Sequence, residues 1–221
     1  RSSDVAEQRV RGPAPGPGIT ILTASAQDGG QSWKARTVPD IACTGAPANT
    51  SADPWVSFGP DGEAYLALGL DYAGESEGAP FEPTGESLAH STDNGRTWSS
   101  PVAVQPHQGT DFFDKASVTA DPYKKGRAYY VFSRRPLPAG TDGVVLLSRT
   151  TDGGAKWSAP RLIYSAPQAK SVWGNTIFVM RDGTLVDVFN QNSNAFGIGA
   201  VLNEPSAGDV FEREGYVNEM M

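Results

Sequence analysis

Short apolar stretches recur along the chain from about residue 19 to about residue 202, and polar segments containing Gly, Pro, Asn or Asp separate them. Such stretches, bounded by turn-forming residues, are typical of β strands. The pattern therefore predicts an all-β protein with almost no helix. The predicted strands are residues 19–23, 34–38, 55–58, 64–70, 87–91, 101–105, 116–120, 127–132, 144–149, 161–164, 176–180, 184–189 and 198–202.

The sequence Asp-x-Gly-x-x-Trp occurs three times, beginning at Asp28, Asp93 and Asp152. The copies recur at spacings of about sixty residues, which indicates a repeat architecture such as a propeller. The motif suits a tight turn, because Asp accepts hydrogen bonds from backbone N–H groups a few residues on and Gly adopts a positive φ. We interpret the three aspartates as structural, and we expect each Trp to be buried between neighbouring sheets.

The clearest copy, residues 91–98 (STDNGRTW), resembles the Asp-box, or bacterial neuraminidase repeat, of sialidase-like β-propellers. The resemblance covers residues 19 to about 202 and implies four-stranded antiparallel blades, six of which close a full ring. The predicted strands fill about three and a half blades. Residues 1–18, charged and then rich in Pro and Gly, are expected to form a flexible extension, and residues 19–221 a partial propeller.

An open half-ring would expose apolar surface between blades, which is a liability in solution. Three explanations remain open. The chain is a fragment of a longer protein, it is a cleavage product whose partner completes the ring, or two copies associate to close it. We favour a truncated or cleaved chain, and the start at Arg1 instead of Met agrees with a processed or trimmed product.

Charge and composition narrow the classes of partner. The net charge of −7 argues against nucleic acid, whose phosphates require a basic surface. No apolar run approaches the length of a membrane span. Cys43 is the only cysteine, so the chain forms no internal disulfide. The resemblance implies a secreted, extracellular or periplasmic protein.

In the blade topology that the resemblance implies, two kinds of loop share the face opposite the Asp-box turns. The first kind enters the innermost strand of each blade. We predict that Asp53, Asp114, Lys115 and Asn175 lie on these loops near the central channel, where they bind substrate. The alternative is that these residues cap strands and bond one another around the channel.

The second kind of loop joins the second and third strands of a blade. Residues 132–142 resemble a sialidase segment in which a strand ends near an Arg-Pro pair and a loop carries the acid/base Asp. By that likeness Asp142 is the candidate acid/base. Arg134 or Arg135 would bind a substrate carboxylate through its guanidinium fork. The alternative is a solvated Arg pair and a turn-forming Asp beside Gly143.

Other features depart from the sialidase pattern. Active sialidases use three arginines, a Tyr nucleophile with a Glu, and an Asp, but no Arg-Ile-Pro motif precedes the first Asp-box here. The acidic segment 71–86 predicts a solvated rim that would repel an anionic sugar. It contains Glu75, Glu77, Glu82 and Glu86.

We expect no metal and no cofactor. His90 and His107, the only histidines, lack metal-ligand spacing, and Asp111 with Asp114 gives weak support for calcium. The sequence also contains no nucleophile elbow and no phosphate loop.

Two functions remain. One is a secreted sialidase-like glycoside hydrolase acting on terminal sugars of glycans. The other is a non-catalytic propeller that binds carbohydrate or protein through its channel face.

Overall fold

The computed structural model describes residues 21–39, 50–71, 84–106, 111–135, 143–166, 171–191 and 201–203. Within these residues the chain forms strands and turns, and no helix. The strands are β1 (Leu22–Ser25), β2 (Lys34–Thr37), β3 (Thr50–Phe58), β4 (Ala64–Asp71), β5 (Thr84–Ser91), β6 (Val102–Gln105), β7 (Phe112–Ala120), β8 (Ala128–Arg135), β9 (Val144–Thr150), β10 (Arg161–Ser165), β11 (Val172–Val179), β12 (Thr184–Gln191) and β13 (Val201–Asn203).

The strands form four antiparallel sheets in which neighbours along the chain are neighbours in space. Sheet 1 contains β1 and β2, sheet 2 contains β3 to β6, sheet 3 contains β7 to β10, and sheet 4 contains β11 to β13. The all-β prediction and its four-stranded antiparallel units are confirmed. The predicted extension at residues 1–18, Cys43, and the chain after Asn203 lie outside the described residues.

The sheets pack face to face through the alternation of side chains along each strand. In β8, Tyr130 and Phe132 face sheet 2, while Tyr129 and Val131 face sheet 4. All four side chains are buried because sheet 3 has a neighbour on both faces. A strand buried on both faces appears in the sequence as a continuous apolar run, and this agrees with the run at 128–132.

The three Asp-x-Gly-x-x-Trp motifs connect β1 to β2, β5 to β6, and β9 to β10. Asp93 accepts hydrogen bonds from the backbone N–H groups of Arg96 and Thr97 at 3.0 and 2.9 Å, and from the Thr97 hydroxyl at 2.7 Å. The hydrogen bonds from Thr97 lower the pKa of Asp93 to about 2. Gly95 takes a φ of 75°, which L side chains rarely adopt. These contacts give the motif the turn-locking role predicted from its residue types.

The motif tryptophans are packed unequally. Trp157 of sheet 3 lies edge-on to Tyr65 of sheet 2, with ring centroids 6.1 Å apart, and Trp98 of sheet 2 packs on the cluster formed with sheet 1. Trp33 of sheet 1 is 61% exposed, so the prediction that every motif Trp is buried is wrong for this copy. The physical reason is that each packed Trp lies against the sheet preceding its own, and sheet 1 is the first sheet that the structure describes.

Candidate functional site

The three innermost strands carry a bulge at equivalent positions. The pairing register shifts between Ala52 and Trp55 in β3, between Asp114 and Ser117 in β7, and between Trp173 and Thr176 in β11. The first residue inside each bulge has a positive φ, and these residues are Asp53 (48°), Lys115 (52°) and Gly174 (69°). For a non-Gly residue this conformation costs on the order of 1 kcal/mol.

The bulges correct the prediction that the four channel residues lie on loops. Asp53, Asp114, Lys115 and Asn175 lie within bulged strands and not on loops before them, because the extra residue disrupts the alternation by which strands are recognised. The equivalent of Asp53 and Lys115 in sheet 4 is Gly174, one residue before Asn175.

The bulges occupy the ends of the sheets opposite the motif turns. Asp114 pairs with Ser133 near the end of β8, whereas the motif turns follow the far ends of β5 and β9. The face that carries the bulges is therefore the face on which the sequence placed the functional residues.

Lys115 links two carboxylates from neighbouring sheets. Its Nζ lies 2.9 Å from Oδ2 of Asp53 and 3.5 Å from Oδ1 of Asp114. Burial raises the pKa of Asp114, and the charge of Lys115 opposes this effect while the charge of Asp53 adds to it. The hydrogen bond to Asp53 raises the pKa of Lys115 itself. The arrangement combines an ammonium, an exposed carboxylate and a mostly buried carboxylate.

This arrangement predicts that two substitutions shift the pKa of Asp114 in opposite directions. Lys115→Met should raise the pKa of Asp114, because it removes the cation that favours the carboxylate. Asp53→Asn should lower it, because it removes a repelling charge. Carbon-detected NMR titration of the Asp114 carboxyl measures both shifts, and shifts of the same sign in the two variants would contradict the described contacts.

A cleft of about 230 Å³ opens beside these charges, between sheets 2 and 3. Its lining includes Asp53, Asp114 and Lys115 together with Thr84 and Glu86 of β5. The Thr84 hydroxyl donates to the backbone carbonyl of Phe113 at 2.6 Å and accepts from its backbone N–H at 2.5 Å. These two bonds join β5 to β7 and fix the separation of the cleft walls.

The sequence prediction that Glu86 lies on a solvated rim is wrong. Glu86 lies in β5 and is 1% exposed, and its carboxylate accepts a hydrogen bond from the Tyr130 hydroxyl of sheet 3. Burial and the charge of Glu86 hold the pKa of Tyr130 well above its ordinary value, so the phenol stays protonated and donates. The sequence does contain a signal for this burial. Glu86 precedes the buried Leu88 by two residues, and side chains two residues apart in a strand lie on the same face.

The remaining candidates have different environments. A guanidinium nitrogen of Arg134 lies 3.9 Å from Oδ2 of Asp111, on the side of β8 where it pairs with β7. Asn175 is 2% exposed, and its amide nitrogen donates to the Ser133 hydroxyl at 2.8 Å. It therefore ties sheet 4 to sheet 3. For Arg135 only the backbone is described, and Asp142 lies outside the described residues.

The described residues contain no group of three or more His, Cys, Asp and Glu side chains able to hold a metal ion. Asp111 and Asp114, the weak calcium candidate, have separate cationic partners. Asp111 contacts Arg134, and Asp114 contacts Lys115. Among the residues that the structure describes, no helix is long and apolar enough to cross a membrane.

No protein-family model matches the chain, and no curated protein matches it in sequence. Solved structures do match it. A Hadza microbial sialidase has a TM-score of 0.59 at 20% identity, over 90% of this chain and 40% of its own. A Penicillium chrysogenum α-L-arabinanase complexed with arabinobiose has a TM-score of 0.57 at 17% identity, over 86% of this chain and 56% of its own. The chain thus spans about half the length of these proteins or less, and its fold is that of the sialidase-like β-propellers.

Proposed function

We propose that the chain forms part of a glycoside hydrolase that acts on terminal sugars of glycans and binds the sugar in the cleft between sheets 2 and 3. The observation that carries the proposal is the cleft itself, where Asp53, Asp114, Lys115 and Glu86 converge on the face opposite the motif turns. Strain at functional positions is common, and two of these residues hold a positive φ at a site where sheet 4 uses Gly. The two similar structures are a sialidase and an arabinanase with a bound sugar.

We further propose roles for Asp142 and the two arginines that the sequence singled out. Asp142 would act as the acid/base, and Arg134 and Arg135 would contact substrate from the end of β8. The Arg134 guanidinium suits this role because it is partly exposed and its 3.9 Å contact with Asp111 is weak enough to be exchanged for a ligand. We further propose that the three motif turns are Asp-boxes and that the protein is secreted or periplasmic.

The activity is tested with a panel of aryl glycosides and matching natural disaccharides. We expect hydrolysis of at least one terminal sugar, and Asp142→Asn should slow the natural substrate more than the aryl glycoside, because an aryl leaving group needs little protonation. Equal rates for the wild type and the variant on both substrates would remove Asp142 from the mechanism.

One observation favours a non-catalytic propeller that binds carbohydrate or protein. Lys115 already neutralises Asp53 and contacts Asp114, which leaves fewer charges for chemistry. Binding of a glycan without turnover of any substrate in the panel would establish this alternative.

Apolar side chains are exposed on two faces of the described sheets, the face of sheet 2 toward the two-stranded sheet 1 and the outer face of sheet 4. Val56 and Phe58 of β3 are 48% and 54% exposed, and Phe178 and Met180 at the end of β11 are 51% and 49% exposed. Val56 pairs with Leu66, which faces sheet 1, whereas Phe178 alternates with Ile177, which faces sheet 3. We propose that further blades, from a complementary chain or a second copy, cover these two surfaces.

This proposal predicts that the chain on its own self-associates or captures a complementary chain. Sedimentation velocity at several concentrations measures the association directly. A folded species that remains monomeric at all concentrations would exclude closure by association. Phe58→Ser with Phe178→Ser should shift the distribution toward monomer, while Trp157, which lies between sheets 2 and 3, stays packed.

A further inference from the structure

A second cleft, of about 300 Å³, opens between sheet 1 and the motif turn of sheet 2. Its lining includes Asp28 and Ser32 of the first motif turn, Lys34 and Arg36 of β2, and Arg96 of the second motif turn. We call it the motif-side cleft. It lies on the face opposite the proposed sugar site and shares no lining residue with it.

The face of sheet 1 that packs on sheet 2 changes from apolar to cationic toward its motif turn. Ile21 and Val38 lie on this face and are buried in a cluster with apolar residues of sheet 2. Side chains two and four positions apart in a strand share a face, so Arg36 and Lys34 follow Val38 on the same side of β2. Both side chains are exposed, and they therefore present their charges to the space between the two sheets.

A third cation reaches the motif-side cleft from sheet 2. The Nε of Arg96 donates to the backbone carbonyl of Asp93 at 2.7 Å, so the guanidinium is held by its own turn while its two terminal nitrogens point beyond that bond. Among the ion pairs of the described residues, none involves Lys34, Arg36 or Arg96.

Asp28 is the one acidic residue in this lining, and its carboxylate is engaged within its own turn. It accepts hydrogen bonds from the Ser32 hydroxyl at 2.5 Å and from the backbone N–H groups of Ser32 and Gln31 at 3.0 and 2.9 Å. These bonds, those from Ser32 first, lower the pKa of Asp28. Three cationic side chains thus gather around a single carboxylate, and their mutual repulsion is relieved when an anion enters between them.

We infer that the motif-side cleft binds a tetrahedral oxyanion, carried by its ligand as a sulfate or phosphate group. The cations approach from two sheets, so the ligand must offer acceptor oxygens in several directions. A sulfate or phosphate group does so, whereas the two oxygens of a carboxylate lie in one plane and suit a single guanidinium fork. The inference is independent of the proposed function, because it concerns a different cleft.

The net charge of −7 makes this site specific in its prediction. A protein that is acidic as a whole repels anions in general, so anion binding must come from a local concentration of positive charge. Binding should therefore depend on the cations of the motif-side cleft and not on cations elsewhere.

The test is a titration of the full chain with inorganic sulfate, inorganic phosphate, galactose 6-sulfate and uncharged galactose at constant ionic strength. Two-dimensional ¹H–¹⁵N NMR follows the Nε–H group of Arg96 and the backbone N–H groups of Gln31 and Ser32. We expect the three anions to shift these resonances, and galactose to bind at least about tenfold more weakly than galactose 6-sulfate, with affinities that fall as salt is added.

Variants assign the binding to the cleft. Arg36→Gln and Lys34→Gln should each raise the Kd of the anions up to about fivefold, the size expected for loss of one exposed ion pair. Both side chains are exposed, so neither substitution removes packing. The matched control is Lys156→Gln, which removes the same charge from the motif turn of sheet 3 and should leave the Kd unchanged.

Each outcome decides the inference. Tighter binding of galactose 6-sulfate than of inorganic sulfate supports it and identifies a sulfated glycan as the source of the group. Equal or tighter binding of the free anions supports it with a free anion as the ligand. Absence of shifts with every anion would overturn it. An equal loss of affinity in Lys156→Gln and Arg36→Gln would also overturn it, because net charge would then account for the binding.

Discussion

Replacing Asp187 by Asn is expected to stabilise the protein at pH 8 by about 3–4 kcal/mol. Asp187 lies in β12 between Leu185 and Phe189, on the face that packs against sheet 3, and it is 1% exposed. Neither carboxylate oxygen makes a hydrogen bond with a described residue. Burial raises the pKa of Asp187 to about 7, and the nearby backbone N–H groups of Thr176 and Val188 offset this only in part.

The sign of the effect follows from proton binding. A carboxyl whose pKa is raised in the folded state holds its proton more tightly there than in the unfolded chain. The folded state is therefore favoured at low pH and loses stability as the pH rises from about 4 to about 7. A shift from 3.8 to about 7 corresponds to roughly 4 kcal/mol at about 1.4 kcal/mol per unit, and Asn avoids this penalty because it never ionises.

The measurement is urea unfolding of the wild type and Asp187→Asn at pH 5 and pH 8. The stabilisation by Asp187→Asn should be less than half as large at pH 5 as at pH 8, because at pH 5 the unfolded chain ionises Asp187 while the folded protein keeps it protonated. Asp182→Asn is the control, because this exposed turn carboxylate has a lowered pKa from its hydrogen bonds with Thr184, so its loss at pH 8 should not stabilise. If the difference in unfolding free energy between the two proteins does not change with pH, burial does not raise the pKa of Asp187.

The second large effect concerns the motif tryptophans. Trp157→Ala should destabilise the protein by about 3 kcal/mol, the lower end of the range for truncation of a large aromatic residue, because Trp157 is only partly buried. Its ring contacts Tyr65 and Tyr130 edge-on, with centroids 6.1 and 6.3 Å away. The substitution therefore removes packing between sheets 2 and 3 as well as within the turn.

Trp33→Ala is the matched comparison. It removes the same side chain from the same motif, but Trp33 is 61% exposed, so the expected loss is below about 1 kcal/mol. Thermal unfolding followed by circular dichroism measures both. Equal losses would mean that the tryptophan stabilises its own turn, and a negligible loss for Trp157 would contradict the packing between sheets.

The sequence predicted the local features of the fold well. Strand positions, the antiparallel order and the turn-locking aspartates all depend on residues close together in the chain, and alternation and turn chemistry report these directly. Asp93, for example, bonds to residues three and four positions on, and the motif contains both partners.

The features that depend on contacts between sheets could not be predicted in the same way. Glu86 and Asp187 are charged residues in strands and suggest exposed faces, but packing of adjacent sheets buries both. The position of Asp53 and Lys115 within strands could not be predicted, because the extra residue of each bulge interrupts the alternation of side chains that identifies a strand. The prediction for Trp33 is wrong in the opposite direction, because it is expected to be buried and is exposed. Its burial would require a neighbouring sheet on the other side of sheet 1.

Each strand of the described sheets pairs with strands adjacent to it along the chain, and this bears on how the protein is synthesised. β proteins fold slowly mainly because strands from distant parts of the chain must meet, and the entropy lost in bringing them together grows with their separation. Here a sheet is complete as soon as its last strand has left the ribosome. The protein can therefore assemble its sheets one after another during translation, and each newly formed sheet meets an apolar face that its predecessor already presents.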